Sequence, residues 1–169
     1  RLAINVSMKQ LLRPGHAARL ASIVHDAGVP PGSLALEITE TSFSQGEAHI
    51  SELLDIMRAA RIEVHIDDFG TGYSSLARLS VLAADAIKID RQFVHKLDAR
   101  SIALIESTVL IARKLGMMTI AEGVEDEATW QTLTRLGVDF QQGYFFGRPE
   151  PIAETGTEDR GYPAIAALA

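Results

Sequence analysis

No cysteine occurs in the chain, which excludes disulfide staples and thiolate metal sites. Positive charge is also scarce: 16 Lys and Arg stand against 22 Asp and Glu, for a net charge of −6. That balance argues against a broad nucleic-acid groove, and no DNA or RNA polymer is expected as a partner. A phosphate-bearing substrate would be repelled by such walls unless bound cations reversed the local field. No stretch approaches the ~20 apolar residues of a membrane span, and no secretory pattern opens the chain. The sequence therefore reads as a soluble domain of a reducing compartment. It opens on Arg1 and runs straight into a strand-like 2–6, which reads as a piece cut from something longer.

What the sequence does hold is 47% apolar residues over 169, enough for one real core. Strand-like runs fall at 2–6, 34–38, 62–67, 86–89, 118–121 and 140–145. Between them, Ala17, Leu20, Ala21 and Val24 recur at helical spacing, with Gly28 where that helix would stop. Ile50, Leu53, Leu54 and Met57 form a second stripe. A short helix is expected near 76–81 and a longer one over about 101–115. Another, N-capped by Asp126, carries Trp130, Leu133 and Leu136 and closes at Gly137. Helices between strands imply βαβ crossovers and hence a parallel sheet. The units recur about every 27 residues, and eight of them would need ~220 residues or more. About six are present. The α/β fold is then either an open doubly wound sheet or a (β/α)8 TIM-type barrel lacking its first two strands, which the non-Met start favours. The domain is placed at 1–150, with 151–169 an aperiodic tail or the start of a linker.

Each strand-like run ends in polar residues: Asn5, Glu37, Asp67 with Asp68, Asp90, Glu122 and Gln142. A buried parallel strand tolerates a polar side chain poorly except at its C-terminal mouth, where α/β barrels build their active sites. Six such endings in register read as one site assembled from six strands. The candidate ligands Asn5, Glu37, Asp67, Asp68 and Glu122 all offer oxygen, which suits the hard cations Mg²⁺ or Mn²⁺ rather than zinc or copper. In a regular strand the side chains of Asp67 and Asp68 would diverge. A turn at the strand's end can aim both at ions ~3.5–4 Å apart, the usual two-ion clamp for phosphoester hydrolysis. Lys88, one strand over, could orient the attacking water or neutralise the transition state.

The Gly- and hydroxyl-rich stretch 68–75 contains the Asp-Phe-Gly triplet of protein kinases without their partner motifs, and no Walker pattern is present. It reads as a mobile loop over the site hinged at Gly70 and Gly72, against the plainer reading of a tight turn. The five histidines show no paired spacing. His65, pointing opposite Ile66, reads as a helix-packing residue, and Trp130, Phe145 and Phe146 read as core.

The strings Asn5-Val6-Ser7, Leu36-Glu37-Ile38-Thr39-Glu40, Asp67-Asp68-Phe69-Gly70-Thr71-Gly72-Tyr73-Ser74-Ser75-Leu76, Lys88-Ile89-Asp90, Ala121-Glu122-Gly123-Val124-Glu125 and Gln142-Gly143-Tyr144 resemble, in order and spacing, the EAL-domain family. The likeness spans about residues 2–150, and the family's members are bacterial cyclic di-GMP phosphodiesterases. The resemblance implies a (β/α)8 barrel that linearises cyclic di-GMP to pGpG with two Mg²⁺ or Mn²⁺ ions. It assigns Asn5, Glu37 and Asp67 to one ion, and Asp67, Asp68 and Glu122 to the other. Lys88 would hold the attacking water, with either it or Glu122 as the base. Asp90 would support the water site, and Glu125 and Gln142 would lie near the substrate or behind the ligands. Glu40 would anchor the loop 68–76, which in this family couples metal binding to dimerisation. A homodimer through the barrel is implied, as is a bacterial cytoplasmic location, with membrane tethering left to domains outside these residues.

The family's name-giving Glu-Ala-Leu motif, on a strand upstream of Asn5, is not in the sequence. A metal-ligating Glu and an Arg-bearing substrate contact go with it. The expectation is that a longer parent protein is catalytic, while these 169 residues alone are inactive and poorly stable because of open sheet edges. The alternative is a non-catalytic cyclic di-GMP-binding or protein-interaction module, since degenerate relatives keep the fold and lose ligands. The intact acidic set argues against it.

Overall fold

Short aliphatic runs and the helical stripes between them fold as the alternation predicts. A computed structural model describes residues 2–40, 47–71, 79 and 84–149, with the backbone alone at 47–49. The strands are β1 (Leu2–Asn5), β2 (Leu34–Thr39), β3 (Glu63–Phe69), β4 (Ala86–Ile89), β5 (Met118–Ala121) and β6 (Phe140–Gln141). The helices are α1 (Met8–Leu11), α2 (His16–Asp26), α3 (Glu47–Ala59), α4 (Arg91–Lys96), α5 (Ala99–Leu115) and α6 (Glu127–Arg135). The helix expected near 76–81 and the tail 151–169 lie outside the described residues, apart from a buried Leu79. No helix among the described residues is long and apolar enough to cross a membrane.

All six strands are parallel, and their order in the sheet is their order in the chain. Parallel crossovers are right-handed almost without exception. When every crossover moves one strand in the same direction, that hand puts all the helices on one face. A doubly wound sheet needs a reversal of strand order, and there is none here. The sheet is therefore a six-strand section of a (β/α)8 barrel, incomplete as the count of units anticipates.

Period-two alternation sorts each strand between two faces. Leu34, Leu36, Ile38, Val64, Ile66 and Ile87 pack outward against the α3 stripe of Ile50, Leu53, Leu54 and Met57. Ile89 and Ala121 meet Val94, Ile105, Val109 and Leu133 in a second cluster. The opposite face carries the row Asn5, Glu37, His65, Ala86 and Met118, matched strand to strand by register. His65 is thus not a helix-packing residue. Its neighbour Ile66 takes the helix side, so period two turns His65 inward, where its Nε2 lies 3.1 Å from Glu63 Oε2.

Two aspartates immediately preceding strands latch each strand to its neighbour. Asp85, before β4, accepts from the Val64 N–H at 2.8 Å. Asp139, before β6, accepts from the Thr119 N–H at 2.8 Å and from its hydroxyl at 2.7 Å. Asp126 caps α6 as expected, accepting from Thr129 N–H at 2.7 Å, and Asp98 caps α5 in the same way through Ser101.

Two expectations fail at the C-terminal end. The last strand stops at Gln141 instead of reaching residue 145, because Val124 accepts from Phe145 N–H at 3.0 Å and bends the chain into a turn. Trp130, Phe145 and Phe146 are not core. They remain 37%, 40% and 38% exposed, with Trp130 and Phe145 stacked at 6.0 Å.

Candidate active site

Glu37 stands within β2, Asp67 within β3, Lys88 within β4, and Glu122 follows β5 directly. Because all four project from the same face of adjacent strands near their C-terminal ends, they meet. The Lys88 ammonium lies 2.6 Å from Glu37 Oε1, 3.0 Å from Asp67 Oδ1 and 2.6 Å from Glu122 Oε1. Lys88 is only 3% exposed. An ammonium has three N–H donors, so three carboxylates saturate it. Burial alone would push its pKa down; the bonds from Glu122, Glu37 and Asp67 outweigh that and hold it well above the ordinary lysine range. Burial raises the pKa of Glu122, with Lys88 opposing the shift.

The vicinal pair departs from regular strand geometry. The β3–β4 register shifts between Ile66 and Phe69, and Asp68 takes φ +56°, a left-handed backbone uncommon for a residue with a side chain. This bulge breaks the alternation that would send Asp67 and Asp68 to opposite faces. The Asp68 N–H donates to Asp67 Oδ1 at 3.0 Å. Burial, then the nearby negative charges of Asp67 and Asp90, raise the Asp68 pKa. Asp90 also accepts from Gln92 N–H at 2.8 Å, capping α4. Two strands further back in the chain, the buried Glu40 accepts from the Gly70 N–H at 2.9 Å, just after β3. Gly72, the second expected hinge, lies outside the described residues.

Gln142 sits across from Glu122 and donates to its Oε1 at 3.0 Å, so it holds a cluster carboxylate from behind. The turn that places it depends on Gly143: a Cβ there would overlap the backbone N and O of Val124. Asn5 pairs with Glu37 in register on the same face, at the exposed strand β1. Glu125 does not join the cluster. It is exposed and lies 3.7 Å from His95, whose Nε2 is also 3.0 Å from the Gly123 carbonyl. His95 had no signal in the sequence beyond its place on α4.

The donor chemistry fits a divalent cation. Carboxylate oxygens from three strands already converge on one positive group, the Lys88 ammonium, and no sulfur or imidazole enters the cluster. As they stand, no three acidic or imidazole side chains among the described residues are grouped to hold an ion by themselves. The ammonium holds their centre.

The family model described as the EAL domain matches residues 1–149. Cyclic di-GMP phosphodiesterase RocR of Pseudomonas aeruginosa is 40% identical over 152 residues, covering 89% of this chain and 39% of RocR. Among solved structures, the PaMucR phosphodiesterase in complex with c-di-GMP superposes with a TM-score of 0.81 at 38% identity, over 89% of this chain and 68% of that one. BlrP1 of Klebsiella pneumoniae, in a manganese/cy-diGMP complex, superposes with a TM-score of 0.80 at 33% identity, over 88% of this chain and 39% of that one. The same protein is also known as a calcium complex, so relatives of this fold take divalent cations beside the cyclic dinucleotide. The chain spans 22%, 23% and 39% of the length of three curated relatives that it matches. With six parallel strands in chain order, an acidic cluster at their mouths and a family match over all the described residues, the chain belongs to the EAL-domain family.

Proposed function

We propose that these residues are part of a bacterial, cytoplasmic, metal-dependent phosphodiesterase that opens cyclic di-GMP to linear pGpG. The observation that carries this reading is the convergence of Glu37, Asp67 and Glu122 on one buried cationic position in an EAL-family barrel. Asn5, Glu37 and Asp67 would hold one divalent ion, and Asp67, Asp68 and Glu122 a second, the oxygen donors suiting Mg²⁺ or Mn²⁺. When bound, such ions supply the Lewis acid that makes water a nucleophile and offsets charge building on the phosphate.

The chain's own residues divide the remaining work. A water oxygen attacks phosphorus and the bond from phosphorus to the 3′ oxygen breaks, that oxygen leaving with a proton from solvent. Lys88 keeps its proton and orients the water or meets developing negative charge. The proton released by the water would pass to Glu122, whose carboxylate stands 2.6 Å from the Lys88 ammonium at the mouth of β5. Gln142 holds Glu122 in place, Asp90 supports Asp68, and Glu40 ties the loop after β3 to the site. Glu125 lies outside the cluster and is left to the substrate's periphery. A homodimer through the barrel is part of the proposal, as is a domain ending near residue 150.

The test is a product assay on the natural full-length protein with cyclic di-GMP and Mg²⁺ or Mn²⁺. The expected outcome is pGpG that disappears with chelator. Calorimetric binding of cyclic di-GMP without any pGpG would favour the non-catalytic module instead.

A further inference from the structure

Lys88 cannot serve a water while all three of its donors are taken. Lys88 is 3% exposed, and its ammonium spends one N–H on each of Glu37, Asp67 and Glu122, at 2.6, 3.0 and 2.6 Å. Those carboxylates are the ones that the proposed reading gives to the metal ions. The same oxygens therefore have two possible cationic partners, one covalently part of the chain.

We propose that Lys88 is the resident counter-cation of the metal-free site: its ammonium pins Glu37, Asp67 and Glu122 together, competes with divalent ions for their oxygens, and becomes available to a water once those oxygens are taken. This rests on the metal-site reading above. The buried Glu37 and Asp67 and the half-buried Glu122 repel one another as carboxylates, and the Lys88 ammonium offsets that repulsion without any of them taking up a proton. Competition for shared oxygens is a coupling between the two cations, and coupling is reciprocal: what strengthens the lysine's hold weakens the ion's by the same factor.

The experiment compares wild type with Lys88→Met and Lys88→Gln in the full-length protein, stripped with EDTA. Two readouts are taken: the melting temperature in EDTA, and calorimetric titration with MnCl₂. Expected are a melting point several degrees lower in EDTA for both variants, and Mn²⁺ binding about tenfold tighter than wild type. A variant that folds with Mn²⁺ but not in EDTA also supports the proposal. If Lys88→Met folds in neither condition, the Lys88→Gln titration decides. Mn²⁺ binding that is unchanged or weaker in a folded variant overturns the competition. Wild type that takes up no Mn²⁺ at all would instead overturn the metal-site reading, a distinct result.

Discussion

Gln142 donates from Nε2 to Glu122 Oε1 at 3.0 Å, the same oxygen that receives the Lys88 ammonium at 2.6 Å. One carboxylate oxygen is thus fixed by an amide at the mouth of β6 and by an ammonium from β4. Partners that orient a ligand from behind typically matter by 10–100-fold. In the full-length protein, Gln142→Ala should lower the kcat of the proposed cyclic di-GMP hydrolysis by about tenfold with the fold intact. Steady-state kinetics beside a circular dichroism melt checks it. An unchanged kcat would remove Gln142 from the site's support.

Gly143 is where the chain passes against Val124, whose N–H donates to the Gln142 carbonyl at 3.0 Å and whose carbonyl accepts from Phe145. A methyl at residue 143 would overlap that backbone, which cannot give way as a side chain tip can. Gly143→Ala should cost about 3 kcal/mol or displace the turn. Urea denaturation reads the first, and a fall in activity with retained stability reads the second.

Asp139 binds both the N–H and the hydroxyl of Thr119, joining the start of β6 to β5. Asp139→Ala leaves that amide without its partner, and the expected loss is about 1–3 kcal/mol. The midpoint of urea unfolding measures it, with Asp55→Ala as a control because Asp55 is exposed and pairs with the exposed Arg58 one turn along α3.

Asp126 supplies a pH-dependent prediction away from the cluster. The Thr129 N–H holds its carboxyl below the ordinary value of 3.8. A carboxylate whose folded pKa is depressed stabilises the fold above its unfolded pKa, and the contribution is lost as pH falls through the folded value. Asp126→Ala should therefore lower the melting temperature at neutral pH. The gap to wild type should narrow as the pH drops below 3.8. A gap that stays constant through that range would mean the cap acts through something other than its charge.

Much of the site was legible because polar residues at the ends of apolar runs have few places to go in a parallel sheet. Glu37, Asp67 and Glu122 follow from that rule and their face from period two, while Lys88 lies inside β4 and reaches the same face by alternating with Ile87 and Ile89. The bulge at Asp68 was not legible. It is set by how β3 pairs with β4, and a string of residues carries no register. The saturation of Lys88 was missed for a related reason: spacing puts it one strand over but does not say how many carboxylates reach it. His65 was misassigned by treating its polarity as a local matter, when its neighbour Ile66 had already claimed the helix side. Trp130 follows the helical spacing that puts Leu133 in the core, yet spacing alone cannot separate a stripe's buried centre from its rim.

The cluster's three carboxylates give the decisive comparison. In the full-length protein with saturating Mn²⁺, Asp67→Asn and Glu122→Gln should each reduce the rate of cyclic di-GMP conversion to pGpG by more than about a hundredfold while leaving the melting temperature near wild type. Turnover within a few-fold of wild type in either variant would contradict the assignment of this cluster as the reaction's centre.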